Sequence, residues 1–453
     1  TARTGDSATV NEILRELQQL NRDVQSLAST AANSTGAANR QAELLDELSS
    51  YLDVRSQTLS DGRISVRTQD DISLLENEAV TLRYAPKGSG AFDVNYGRIE
   101  IVPKPGAQAV VLDSHIQSGE LRGLLDLRDV ELPGMAEELA ELVAGAADAL
   151  NAAHNNATAV PAPTVLAGRN TGLLASDGLG FSGETTIAVT SATGALVKRI
   201  DVDFDAGTLS VDGGAAVAFG GSTLGDFVTT LNTALGADGS AGFSNGTLTL
   251  SAAGTNGVAT LQSETDPADR AGRGFAHFFG LNDLVDSTRP TFFETGLAAT
   301  DAHGFTVGET SFNDLLTSLN DPVNGLGRYA SFSLGASGAL VETPAAGYQG
   351  FDIEMTGDNT QRGGTGLSFS EMFGTDLAAR AGRNDVIDVN ADIRSNSALM
   401  ALAQLDISAT SVAGDFVVSS GDGRGGVALQ GALNSLRSFS TAGGLTGGNS
   451  TLQ

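Results

Sequence analysis

Between Ile13 and Ala31 the apolar residues Ile13, Leu17, Leu20, Val24, Leu27 and Ala31 recur at intervals of 4, 3, 4, 3 and 4. Apart from Leu14, the residues between them are mostly polar or small. Such spacing lines up one narrow apolar stripe on a helix and suits neither a strand nor a loop. It returns over Met135, Leu139, Leu142, Ala146, Ala149 and Ala153. A stripe of this kind has to be covered, so the chain is expected to build a helical bundle. The packing seam is read as Ile13, Leu17, Leu20, Val24 and Leu27 with Met135, Leu139 and Leu142, helix 11–31 lying on helix 119–154 in one chain; a seam between chains has the same periodicity.

The rest of the chain is organised around that bundle. Asn33-Ser34-Thr35-Gly36 breaks the first helix, and Leu44, Leu45, Leu48 and Leu52 mark a second over about 38–51, which together predict a helical hairpin. Period-2 alternation at 63–68, 80–84 and 98–102, with Val110-Val111-Leu112, predicts a small β insertion over about 54–116. Pro133 suits the first turn of the helix that follows, with Asp129 and Glu131 just ahead of it. After Pro161-Ala162-Pro163 the composition turns to Gly, Thr, Ala and Val, with alternating strands and one helix at Leu224–Leu235 capped by Ser222 or Thr223. Helical patterning is read again at about 395–405 and 427–437, and the Gly/Ser/Thr tail from Ser440 reads as frayed.

The expected fold class is α+β multidomain: a discontinuous elongated helical bundle domain with a small β insertion, plus one or two inserted β-rich domains. The divisions expected are 1–163 (first part of the helical domain), 164–300 (β-rich), 301–392 (a second β-rich unit) and 393–453 (return to the helical domain and a flexible tail).

Composition removes several functions. With no Cys there is no disulfide framework, thiolate zinc site or Cys nucleophile. With 26 Lys and Arg against 54 Asp and Glu, the net charge of −28 opposes nucleic acid and anionic membrane. No run of about 18 apolar residues offers a membrane span. No cleavable signal is visible in Thr1 to Val10.

The chemical motifs weigh little. Gly178-Leu179-Gly180-Phe181-Ser182-Gly183 fits G-x-G-x-x-G, but a strand follows it where a nucleotide site needs a helix. Asp201, Asp203, Asp205 and Asp212 imitate a calcium loop, yet Ala206 and Asp212 stand where Gly and Glu belong, and the alternation with Val202 and Phe204 reads as a strand. His154 is read as a cation at a helix end, His277 as part of a packed aromatic cluster, and His115 and His303 as neighbours of turns. No Gly-x-Ser-x-Gly elbow occurs. No catalytic, cofactor or metal residues are assigned, and the chain is not expected to be an enzyme.

Ser118-Gly119-Glu120-Leu121-Arg122-Gly123-Leu124-Leu125-Asp126-Leu127-Arg128-Asp129, then Leu132-Pro133, then Leu150-Asn151-Ala152-Ala153-His154, resemble the flagellar hook-associated protein 1 family, the junction proteins between hook and filament. The residues that carry its G-x-L-x-G-L-x-x-x-R-D-x-x-L-P run are Gly119, Leu121, Gly123, Leu124, Arg128, Asp129 and Pro133. Those of its N-x-x-H ending are Asn151 and His154. Looser likenesses lie in Leu44-Leu45-Asp46-Glu47-Leu48-Ser49, in Gly421-Asp422-Gly423-Arg424 and in Arg273 to Asp283.

The resemblance implies a structural component of the bacterial flagellum, outside the cell, exported by the flagellar type III route and required for filament assembly. It implies as partners the hook protein, the second hook–filament junction protein and copies of the chain itself in a ring, with an export chaperone acting through a C-terminal region beyond this sequence. The chain looks like a fragment lacking the family's terminal helices and is expected to be a monomer in isolation, with no cofactor. A different class, a secreted adhesin-like or carbohydrate-binding β protein on a helical stalk, is compatible with the acidic, Gly/Thr-rich middle. Exposed aromatic platforms there would favour it, and buried Phe would disfavour it.

Overall fold

The computed structural model describes residues 2–29, 35–84, 97–102, 108–305, 310–351, 353–355, 357–383 and 387–451. The chain is an α+β multidomain protein of helices and several small separate sheets. It divides into two compact units, Thr1–Met135 and Ala136–Gln453. Ala31, Asn33 and Ser34 lie outside the described residues.

The first unit opens with α1 (Ala2–Ser29) and α2 (Thr35–Tyr51). Ile13, Leu17 and Val24 are buried, while Leu20 and Leu27 are half-buried. Val10, Leu14, Leu44, Leu48 and Leu52 complete the helical side of the core. Six strands follow: β1 (Val54–Thr58), β2 (Ile64–Thr68), β3 (Ser73–Leu75), β4 (Leu82–Tyr84), β5 (Ile99–Ile101) and β6 (Val110–Val111). They form two three-stranded sheets, β1-β2-β3 and β4-β5-β6. Ile64, Val66, Leu74, Leu75, Leu82 and Ile99 face the same core as the helices.

Two asparagines of α1 lock helix to sheet. Asn11 donates to Leu82 O at 2.8 Å and accepts from Leu82 N at 2.7 Å. Asn21 does the same with Ile64, at 2.7 and 2.9 Å. Each side-chain amide thus completes a strand residue's backbone bonds inside a core where an unpaired group costs about 1–3 kcal/mol.

Helix α3 (Glu120–Asp126) runs through a π-helical turn (Leu127–Glu131) into α4 (Leu132–Asn155). Pro133 has no N–H to donate, so an ordinary helical ladder cannot continue through it. The wide turn absorbs that mismatch and the helix goes on.

The second unit contains β7 (Val165–Ala167), β8 (Glu184–Thr190), β9 (Leu196–Asp203), β10 (Thr208–Val211), β11 (Val217–Ala218), α5 (Leu224–Leu235), β12 (Gly239–Ser244), β13 (Thr247–Ala252) and β14 (Gly257–Gln262). The main sheet has the order β11-β10-β9-β8-β14, with antiparallel neighbours. A smaller sheet is β12-β13-β7. Thr223 caps α5 reciprocally with Asp226. Beyond these come α6 (Phe275–Phe279), β15 (Val285–Ser287), α7 (Phe312–Leu319), the hairpin β16 (Ala330–Leu334) and β17 (Leu340–Pro344), α8 (Phe369–Phe373), α9 (Leu377–Ala381), β18 (Ile387–Val389), α10 (Ala391–Ser395), α11 (Arg424–Ala432), β19 (Arg437–Phe439) and β20 (Gly448–Ser450).

One face of the main sheet, with Ile187, Ile200, Val202 and Leu209, packs on α5 and a cluster of Phe181, Phe204, Phe219, Phe227, Phe275, Phe278 and Phe279. Phe312, Phe369 and Phe373 join the same core, so residues 301–392 share a core with 164–300.

Three expectations require correction. Met135, Leu139 and Leu142 are not packed; they are 63%, 51% and 49% exposed. Helix α4 buries its small face instead, Ala140, Ala144 and Ala147. Residues 400–405 are not helical. Ala401, Ala403 and Leu405 are buried at period 2, and Ala403 and Leu405 join Val417 and Val418 over Ala188 and Ala259 on the second face of the main sheet. The tail from Ser440 is not frayed as far as residue 451; β19 and β20 pair, and backbone groups between them are bonded to α4.

Candidate functional site

Buried polar side chains form a cluster in each unit, and the residues of the Arg-Asp and Asn-x-x-His elements sit at their centres. In the first unit the π-helical turn carries Arg128, which is only 5% exposed. Its Nη1 donates to Gly97 O at 2.6 Å and its Nη2 to Asp113 Oδ2 at 2.8 Å. Asp129 takes Nε and Nη2 at 2.5 and 2.6 Å. Asp113 in turn accepts the Ile99 N–H at 2.8 Å. Burial works against the charge of Arg128, but the carboxylates of Asp129 and Asp113 outweigh it and raise its pKa.

Gly119 starts α3 at φ 87°, where a Cβ would lie 2.6 Å from Tyr51 O. Leu121 is buried, Leu124 half-buried and Pro133 buried. Nothing in the described contacts explains Gly123, which is exposed with open space around it.

In the second unit the end of α4 gathers two distant segments. Asn151 donates to Val285 O at 2.8 Å and accepts from Leu284 N and Val285 N, both at 2.9 Å. His154 is fully buried. Its Nδ1 lies 2.6 Å from Asn282 O, and its Nε2 accepts the Ala401 N–H at 2.8 Å. A carbonyl can only accept and a backbone N–H can only donate. The ring is therefore neutral, with its proton on Nδ1. Burial lowers the His154 pKa, opposed by the Asn282 carbonyl and Asp283. The expectation of a charged histidine complementing the helix end is thus corrected: both ring nitrogens are taken, and a second proton would break the bond from Ala401.

Asn155, Asn282, Asp283 and Thr158 complete this cluster and escaped the sequence reading. Asn155 donates to Asp283 Oδ1 at 2.7 Å and accepts from Asn282 N at 2.8 Å. Thr158 and Ala403 exchange backbone bonds at 2.7 and 3.1 Å. The doubled Asn155-Asn156 and the pair Asn282-Asp283 were the available signal, but their partners lie more than a hundred positions away. Also unread was Arg362, fully buried and paired with Asp177 through two bonds of 2.9 Å.

The remaining motif residues serve the fold. Gly183 has φ 71°, and a Cβ there would lie 2.4 Å from Pro267 O. Asp201 pairs with Arg199, Asp203 accepts from Ala206 N and Asp212 accepts from Arg199 N, all around the β9–β10 hairpin. His303 bonds Thr310 and Phe305, and His115 pairs with Asp70. Among the described residues no group of three or more His, Cys, Asp or Glu could hold a metal ion, and no helix is long and apolar enough to cross a membrane.

Both clusters tie strands and returning segments to helical residues. Residues 2–162 match the family described as the flagellar hook-associated protein FlgK helical domain. Over those residues the chain is similar to that family of flagellar hook-associated proteins. Among solved structures it is similar to the flagellar hook junction protein FlgK from Burkholderia pseudomallei, at 16% identity and a TM-score of 0.28, over 63% of this chain and 52% of that one. The chain therefore spans about half the length of that protein. None of the curated proteins matches it.

Proposed function

We propose that this chain is a structural component of the bacterial flagellum that joins hook to filament and is required for filament assembly. The observation that carries the reading is the family match over residues 2–162. The motif residues Arg128, Asp129, Asn151 and His154 support it, since all four act as fasteners. Its partners would be the hook protein, the second junction protein and further copies of itself in a ring. It would reach the outside of the cell by flagellar type III export, helped by a dedicated chaperone. As an isolated chain it would be a monomer.

The carbohydrate-binding alternative called for exposed aromatic platforms on the β-rich middle. The phenylalanines at 181, 204, 219, 227, 275, 278 and 279 are buried in one core, which counts against it, while Phe351 and Tyr329, 68% and 42% exposed, count for it. Electron microscopy of cells from which the gene has been deleted tests the proposal. Bare hooks, with filament subunits released into the medium, are the expected result; normal filaments on the mutant would refute it.

A further inference from the structure

Helix α4 presents Glu137, Glu141 and Asp148 toward the chain's later segments, and each of the three carboxylates is divided in the same way. One oxygen holds an arginine of the β-rich part. Glu137 Oε1 takes Arg380 Nε at 2.6 Å, Glu141 Oε2 takes Arg383, and Asp148 Oδ1 takes Arg273 Nε at 3.4 Å with His277 Nε2 at 2.8 Å. The other oxygen holds the strap formed by residues 437–444. Glu137 Oε2 accepts from Gly443 N at 3.1 Å, Glu141 Oε1 from Ser440 N at 2.6 Å, and Asp148 Oδ2 from Arg437 Nη1 at 3.2 Å. Glu138 adds a bond from Gly444 N at 2.9 Å. Gly145 leaves room for Phe439, whose ring carbon would lie 2.7 Å from a Cβ there.

The strap is recognised mainly through backbone N–H groups and one arginine, and it closes over unfilled space. Beside it lies a cavity of about 510 Å³ lined by Arg273, Arg380, Arg383, Arg437 and Phe293. Arg383 is 6% exposed, yet among the described residues its Nε has no hydrogen-bond partner, and neither does Nε of Arg437. The link from α11 to the strap, Asn434 to Leu436, is exposed, with Leu436 at 74%. An element held by polar bonds over a cavity, on an exposed hinge, can be exchanged between identical copies with no loss of contacts.

We propose that the row Glu137, Glu138, Glu141 and Asp148 is a docking site for the 437–444 strap of a second copy of this chain. Strap exchange then links neighbouring copies when they are held close. The partner is fixed by the fit: the segment seen on the row is the one a second copy carries, and its N–H groups and arginine complement the carboxylates. This deepens the self-assembly reading, but its test uses purified chain and so stands or falls separately from the deletion phenotype.

The chain has no cysteine, which makes a two-component cross-link clean. A Cβ at Gly444 would lie 3.2 Å from Glu138 Oε1. Chains carrying Glu138→Cys and chains carrying Gly444→Cys are mixed at ~1 mM, the effective concentration of closely tethered partners, and oxidised. The mixed disulfide dimer is expected to form at least about tenfold faster than the dimer of Gly444→Cys with Ser56→Cys, an exposed position on β1. Adding Gly145→Leu to the Glu138→Cys chain should remove the excess. A rate no higher than that of the Ser56 pair would overturn the proposal, provided the double variant E138C/G444C closes within one chain at low concentration. Failure of that closure would overturn it as well, because the strap would not occupy the row.

Discussion

Replacing His154 by alanine deprives two buried backbone groups of their partners, the Asn282 carbonyl at 2.6 Å and the Ala401 N–H at 2.8 Å. Each orphaned group costs about 1–3 kcal/mol, and the space left by a fully buried ring adds a packing loss. The expected total is about 3–5 kcal/mol, among the largest losses a single substitution brings. The assay is urea unfolding followed by circular dichroism, with the Ala136–Gln453 unit read as its own transition. With a slope near 3 kcal/mol per molar, the midpoint should fall by more than about 1 M.

Asparagine at 154 places a donor roughly where Nδ1 stands, and glutamine places an oxygen roughly where Nε2 stands. Each should recover about half of the loss. The pH dependence has a defined sign. The folded pKa of His154 is lowered by burial, so below about 6.5 the unfolded chain binds more protons than the folded one. Stability should be level above that pH and fall as the solution is acidified toward the lowered value. His277, also lowered by burial, adds in the same direction. A loss under about 1 kcal/mol for His154→Ala, or equal effects of all three substitutions, would refute the assignment of the two bonds.

Arg128→Met should destabilise the Thr1–Met135 unit by about 3–5 kcal/mol, since it leaves Asp113 without its buried cation; hydrogen exchange should show the loss around Ile99 and Asp113. Arg128→Lys should recover little, because an ammonium cannot reproduce the fork onto Gly97, Asp113 and Asp129. Arg362→Met strands the fully buried Asp177 and should cost about 3–5 kcal/mol, measured as a fall in the melting temperature of the second unit. Gly183→Ala combines a left-handed backbone with a contact near 2.4 Å on Pro267 O, and soluble expression should drop sharply relative to Gly123→Ala, which has open space around it.

The elements legible in the sequence are those whose signals are local. The spacing of Ile13, Leu17 and Val24 marks a buried helix face, and the alternation around Ile64 and Ile99 marks strands. The Thr223-x-x-Asp226 pattern marks the start of α5. What failed was deciding which stripe is covered. On α4 the leucines at 139 and 142 and the alanines at 140, 144 and 147 each repeat at helical spacing, and it is the small residues that are buried. At 399–405 the larger side chains pattern as a helix, while the buried period-2 set, Ala401, Ala403 and Leu405, carries little hydrophobic weight. The two polar clusters were legible as residues and not as sites. Arg128 and His154 carry a recognisable pattern, but Gly97, Asn282 and Ala401 are contributed by the fold, and no spacing rule reaches them.

Immunogold electron microscopy of intact flagella, using antibody raised against this chain, tests the proposed role most directly. Gold confined to a short zone where the hook meets the filament is the result that role requires. Gold spread along the filament, or found only on the cell body, would contradict it.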